Sequence, residues 1–182
     1  TIAGDLGDLG LLKDCFCGAH SVWLTPSDIG ALASAGASVA HNPASNMRYG
    51  SGMARVRRMR ELGINVGLGT DSRTCSDNLN MFEAQTPDYK RWLTTDEVLR
   101  MGTIEGAKLM GFEGKLGEIK PGFKADIVFL DRYNLNYVPL NNAVNQVVNA
   151  EDGTAVESLM IGGRMVYEHR RFPNVDFAQV SA

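Results

Sequence analysis

Apolar positions in the first hundred residues alternate between short continuous runs and stripes at helical spacing. Cys15–Val22 (CFCGAHSV) is a short apolar run ending in polar side chains, the pattern of a strand in a covered parallel sheet. Thr25-Pro26-Ser27-Asp28 then offers an N-cap and a proline for a first turn, which predicts a helix over Ser27–Ala35. Gly36 suits the left-handed position just past its end. Ser38–His41 (SVAH) is the next expected strand, broken by Asn42-Pro43. Over Gly52–Leu62, Met53, Val56, Met59 and Leu62 recur at steps of three, with Arg55, Arg57, Arg58 and Arg60 on the other side. Gly63 closes that helix, Ile64–Gly69 is a third strand running into Thr70-Asp71, and a further helix is expected over Asp77–Gln85. Three strand–helix units in series predict a parallel sheet or a (β/α) barrel.

Beyond Trp92 the pattern changes. Thr94-Thr95-Asp96-Glu97 caps a helix to Met101, and a second helix, Thr103–Met110, stops at Gly111. From Gly114 short β segments follow, punctuated by Gly and Pro: Ala125–Leu130, Gln146–Val148 and Ser158–Ile161, with Gly162-Gly163 as a tight turn into Arg164–Glu168. These read as an antiparallel β module appended to the α/β unit.

Composition narrows the function classes. The 182 residues carry 18 Lys and Arg against 21 Asp and Glu, a net charge of −3 that offers no basic excess to a phosphate backbone. The arginines of Gly52–Leu62 accordingly read as a solvated helix face rather than a phosphate site. No apolar run approaches the roughly 20 residues that span a bilayer, so neither nucleic acid nor membrane is an expected partner. Residues Thr1–Leu12 are acidic and Gly-rich, unlike a signal peptide, and three cysteines make an odd number for a disulfide framework. The expected setting is a reducing cytoplasm. Cys15 and Cys17, two apart on a strand, share a face and are expected to be buried and structural; Phe16, Gly18 and His20 take the opposite face, assigned to a barrel interior.

In parallel α/β folds, working side chains gather at the C-terminal ends of strands. His20, His41 and Asp71 fall there. Singly, a strand-end histidine reads as a hydrogen-bonded structural residue, and an Asp after Gly-Thr as an N-cap. Three on consecutive strand ends read as a shared site. A carboxylate can ligate a divalent metal and take a proton from its bound water, while a nearby imidazole polarises the electrophile or shuttles the proton. With His169 in the β module, these ends offer at most two histidines and one carboxylate, fewer than the usual three or four ligands of a zinc site.

Taken in order, His20-Ser21-Val22-Trp23-Leu24, Val39-Ala40-His41-Asn42-Pro43-Ala44-Ser45-Asn46-Met47, Ser51-Gly52 and Gly67-Leu68-Gly69-Thr70-Asp71 resemble the C-terminal half of the amidohydrolase superfamily. The branch is that of the cytosine, guanine and adenosine-type deaminases and the triazine hydrolases. Gly114–Val128 resembles that family's return into a small β-sandwich. The resemblance implies an α/β chain with strands six to eight of a (β/α)8 TIM-type barrel over residues 1–113, and a β-sandwich segment with a C-terminal tail over 114–182. It implies a metal-dependent hydrolase of amino- or halo-substituted nitrogen heterocycles, a deaminase foremost, working through metal-bound hydroxide. The metal would be divalent, zinc first and iron second. Asp71 would be both metal ligand and base, His20 the group stabilising the tetrahedral intermediate or carrying a proton, and His41 and Asn46 substrate-pocket residues. The family's HxH pair, strand-five histidine and acidic proton donor would lie before Thr1. A homo-oligomer is compatible with this reading.

Two departures stand out. Ser72-Arg73-Thr74-Cys75-Ser76-Asp77-Asn78 stands where many relatives have Gly and a small-residue, Asn-containing stretch after the carboxylate, and Phe82-Glu83-Ala84-Gln85 meets Thr86-Pro87-Asp88-Tyr89 where relatives continue the helix. The alternative from another class is a non-catalytic remnant or interaction module that keeps the fold segment without a complete metal site. A flavodoxin-like domain is disfavoured, because no Gly-rich phosphate loop follows any of the strands.

Overall fold

A computed structural model of the chain describes residues 1–76 and 93–175. Its first stretch runs α1 (Ile2–Asp8), β1 (Cys17–Ala19), α2 (Pro26–Ser34), β2 (Ser38–His41), α3 (Pro43–Arg48), α4 (Val56–Glu61), β3 (Asn65–Leu68) and α5 (Arg73–Ser76). The second runs α6 (Thr95–Gly102), α7 (Ile104–Leu109), β4 (Ile127–Leu130), a 3-10 turn (Leu135–Tyr137), α8 (Ala143–Asn149), β5 (Val156–Ile161) and β6 (Arg164–Tyr167). The helix expected over Asp77–Gln85, together with Trp92 and the Gln85–Thr86 junction, lies outside the described residues. No helix among the described residues is long and apolar enough to cross a membrane.

The three early strands pair in parallel in the order β1-β2-β3, as successive strand–helix units require. Register aligns Gly18 with Val39 and Val66, and Ala19 with Ala40 and Gly67. Val39 and Val66 are buried in one core with Ile29 and Leu32 of α2 and Met59 of α4, and Phe16 packs against it. Phe16 and Gly18 therefore belong to the helix-covered side, which reverses the expectation that they face a barrel interior. Cys17, Ala19, Ala40 and Gly67 form the other side. There β1 is open to solvent, so Cys15 and Cys17 are exposed, not buried as expected. Over β3 that side is met by α7, and the approach depends on two glycines: a Cβ on Gly67 would lie 3.2 Å from Gly106 Cα.

The helix ends are largely as the sequence predicts. Thr25 and Asp28 form a reciprocal capping box with Pro26 in the first turn, and Gly36 adopts φ +68°. Asp28 does more than cap. Its Oδ1 accepts from the Ala3 N–H at 3.1 Å, tying α1 to α2. The stripe over Gly52–Leu62 is trimmed to a six-residue helix, with Val56 and Met59 buried but Met53 and Leu62 exposed. Its arginines are not simply solvated. Arg57 and Arg60 pair with Glu97 of α6, and Arg60 also pairs with Glu105 of α7, which bolts α4 to the helix pair behind β3.

In the later segment β4, β5 and β6 form an antiparallel sheet, and Gly162 and Gly163 turn β5 into β6 at φ +57° and +79°. Both positive angles suit the primed turn that matches strand twist. Gln146–Val148, expected as a strand, lies in helix α8 instead. Asn142 caps that helix by accepting from Asn145 N–H, and Gln146 Oε1 accepts from the N–H groups of Asn141 and Asn142. Three apolar-flanked residues carry too little periodicity to separate a strand from a helix turn; the capping asparagines decide it.

Candidate active site

The parallel ladder extends past the strand ends into the polar residues. His20 N–H donates to Ala40 C=O at 2.9 Å, and Gly69 N–H donates to His41 C=O at 2.8 Å. The chain then turns abruptly. His20, Ser21 and Asp71 adopt φ of 60°, 53° and 63°, left-handed backbone that non-glycine residues take rarely and at a cost of order 1–3 kcal/mol. Simple alternation would place His20 on the side of Gly18. The left-handed turn instead brings its ring to Asp71.

His20 Nε2 stands 3.6 Å from Asp71 Oδ2, and its Nδ1 lies 2.9 Å from Asn46 Oδ1. Asp71 Oδ2 also accepts from the Ser45 hydroxyl at 2.6 Å, and Oδ1 from the Ser72 N–H at 2.7 Å. The Ser45 hydroxyl foremost, then the Ser72 N–H and the facing His20, hold the Asp71 carboxyl below the usual carboxylate range. Ser45 and Asn46 sit in α3, which Pro43 opens, so Asn42-Pro43 both ends β2 and starts a helix. Both side chains are buried, at 2% and 1% exposure, and so have little freedom to move.

Of the four residues singled out from sequence, His20, Asn46 and Asp71 come together. His41 is buried at the end of β2 and is not among the residues lining the cleft that holds the other three. Ser45 was not singled out, although it sits inside the His41–Met47 stretch; nothing in the local sequence marks a serine beside an asparagine as a partner of a carboxylate 26 residues away. The cleft has a volume of about 630 Å³ and is mainly apolar, with Phe16, Val22, Trp23 and Leu24 on its walls and His20, Ser45, Asn46 and Asp71 as its convergent polar groups. That combination suits a small, largely apolar molecule oriented by a few hydrogen bonds.

The departure after Asp71 has a structure of its own. Ser72 Oγ lies 3.0 Å from Cys75 Sγ and 2.9 Å from Thr74 Oγ1, and Tyr49 OH donates to Thr74 C=O at 3.3 Å. The Ser72 and Tyr49 hydroxyls lower the Cys75 thiol, and Cys75 in turn raises Tyr49. Among the described residues no three His, Cys, Asp or Glu side chains converge as a complete metal site. His20 and Asp71 thus offer part of a donor set only.

The sequence profile of the amidohydrolase family matches residues 1–166. A 5-methylthioadenosine/S-adenosylhomocysteine deaminase of Acetivibrio thermocellus is 37% identical over 171 residues, covering 89% of this chain and 40% of that protein. A 5'-deoxyadenosine deaminase of Methanobrevibacter smithii is 32% identical over 185 residues, covering 96% and 42%. The crystal structure of an adenosine deaminase from Xanthomonas campestris with bound zinc superposes with a TM-score of 0.91 at 28% identity, over 98% of this chain and 43% of that one. The chain thus spans about two fifths of the length of these relatives. With its parallel strand–helix units and the ordered strand-end residues, the chain belongs to the amidohydrolase family.

Proposed function

We propose that this chain is part of a hydrolase that removes the amino group from a nitrogen heterocycle, 6-aminopurine nucleosides being the foremost substrate class and halo-substituted rings the next. One observation carries the reading: an ionised Asp71 carboxylate facing the His20 imidazole at an apolar cleft. The names of the relatives support the purine class. We further read β1, β2 and β3 as strands six, seven and eight of a (β/α)8 barrel. Residues 1–113 would be its barrel part and 114–182 part of a β-sandwich, the remaining strands being supplied outside these residues. The parallel order and the share of the relatives' length support this. Three free cysteines fit a reducing cytoplasm.

Asp71 fits as one ligand of a divalent metal, zinc first and iron second, since it is ionised and each of its oxygens keeps a lone pair beyond its described hydrogen bonds. When bound, such an ion would lower the pKa of a coordinated water to about 7. The residues of this chain then divide the proton work. Asp71 accepts the proton of the water that attacks the ring carbon bearing the amino group. Asn46 Oδ1 accepts from His20 Nδ1–H, which leaves Nε2 as the nitrogen facing the cleft. With the ring proton on Nδ1, Nε2 keeps its lone pair 3.6 Å from Asp71 Oδ2, which suits it to carry the water's proton to and from that carboxylate. The proton held on Asp71 passes to the leaving nitrogen, the C–N bond breaks, and ammonia departs. His41 serves the pocket from behind, as a buried support of the β2 end.

The test is ammonia release by the complete, zinc-loaded polypeptide that carries this chain, across adenosine, 5'-deoxyadenosine, 5'-methylthioadenosine, guanine, cytosine and a chlorotriazine. The expected outcome is turnover of at least one 6-aminopurine nucleoside with about one metal ion per site. No turnover of any of them and no retained metal would favour a non-catalytic interaction module.

A further inference from the structure

The geometry points to Ser45 as a positioning residue for Asp71, an inference that rests on the reading above. Among the described residues its hydroxyl is bonded to Asp71 Oδ2 at 2.6 Å, and the residue is 2% exposed. A buried hydroxyl next to a carboxylate oxygen has one favourable use of its proton, because the carboxylate is acceptor-only while ionised. Ser72 N–H holds the other oxygen at 2.7 Å. Two donors from different elements, α3 and the turn after β3, therefore fix the rotation of a carboxylate whose own backbone is left-handed at φ 63°. The same turn of α3 holds the other reacting side chain, since Asn46 contacts His20 Nδ1 at 2.9 Å. Adjacent residues of one short helix thus set the 3.6 Å spacing of His20 and Asp71.

Ser45 acts through Asp71, so its removal loosens the carboxylate without emptying the substrate cleft. The test is made in the complete polypeptide, with Ser45→Ala and Ser45→Thr, reading kcat and KM on the best nucleoside and zinc affinity by chelator competition. Groups that orient a ligating residue are worth about 10- to 100-fold in metal affinity or turnover. Ser45→Ala is expected to lower kcat by about that factor with KM within about twofold, and to weaken zinc binding about tenfold or more. Ser45→Thr keeps the hydroxyl and is expected to recover most of both. Melting temperature is read alongside, and if Ser45→Ala does not fold, Ser45→Cys is read by the same criteria. Equal loss in Ser45→Ala and Ser45→Thr, a rise in KM at unchanged kcat, or unaltered zinc affinity overturns the role. If the wild-type protein deaminates no nucleoside, the proposed reaction fails, and the zinc measurement alone then decides for or against Ser45.

Discussion

His20 and Asn46 show how much a single contact sets. The 2.9 Å contact with Asn46 Oδ1 makes Nδ1 the donor and commits the ring to one orientation. Asn46→Ala leaves that nitrogen without its buried acceptor, and kcat/KM is expected to fall about 10- to 100-fold. Imidazole nitrogen shifts by NMR provide the direct check: one tautomer dominates in the wild type and a mixture appears in the variant, whereas identical spectra would contradict the role. At this scale the sequence was partly legible. His20 and Asp71 stand out because they end apolar runs. Ser45 does not, because its meaning lies in a contact across 26 residues that no spacing encodes. The left-handed turn at His20 and Ser21 was equally silent, since neither residue is a glycine.

Among the elements, helix ends were the most legible features and strand faces the least. Thr25-Pro26-Ser27-Asp28 announces α2 through side-chain chemistry confined to one turn, and the structure forms that box. Thr25→Ala should cost about 1 kcal/mol of unfolding free energy, read from denaturant midpoints. Face assignment at β1 failed because a three-residue strand between Cys15 and His20 gives too few alternations to orient it, and because the open side there removes the burial that would distinguish the two faces. Close approaches were also hidden. Gly117 sits at φ +92°, where an added Cβ would lie 2.7 Å from Ile104 Cα, so Gly117→Ala must move backbone at the start of α7. We expect a loss of roughly 2–4 kcal/mol, combining the left-handed penalty with the clash; a variant as stable as wild type would contradict the packing described. Arg60, 18% exposed, faces Glu105, 15% exposed, with Glu97 beside it. Arg60→Ala leaves Glu105 with the more distant Arg100 and Glu97 with Arg57, and is expected to cost about 1–3 kcal/mol, less at high salt.

For the whole molecule, three carboxylates link stability to acid. Asp28 is lowered by the Thr25 hydroxyl first and then by its other hydrogen bonds, and Asp71 by Ser45 and Ser72. Burial pushes Glu97 upward, but Thr94 with Arg57 and Arg60 outweighs it and the net shift is down. Each binds its proton less readily folded than unfolded. The stability they contribute is therefore complete above the unfolded pKa of about 4 and is lost as pH falls through the lower folded values. Melting temperature should decline steeply below about pH 4, and Asp28→Asn should soften that decline. The same scale explains why the fold was readable as strand–helix units while the site was readable only in part. The parallel sheet brings three strand ends side by side by topology alone, but only side-chain contacts decide that His20 and Asp71 face each other and that His41 does not line the cleft. Those contacts converge on Asp71, and the most direct test is the turnover of Asp71→Asn against wild type in the complete, zinc-loaded polypeptide on its best nucleoside. The account predicts a fall in kcat of about a thousandfold or more together with weakened zinc retention; turnover within tenfold of wild type would contradict it.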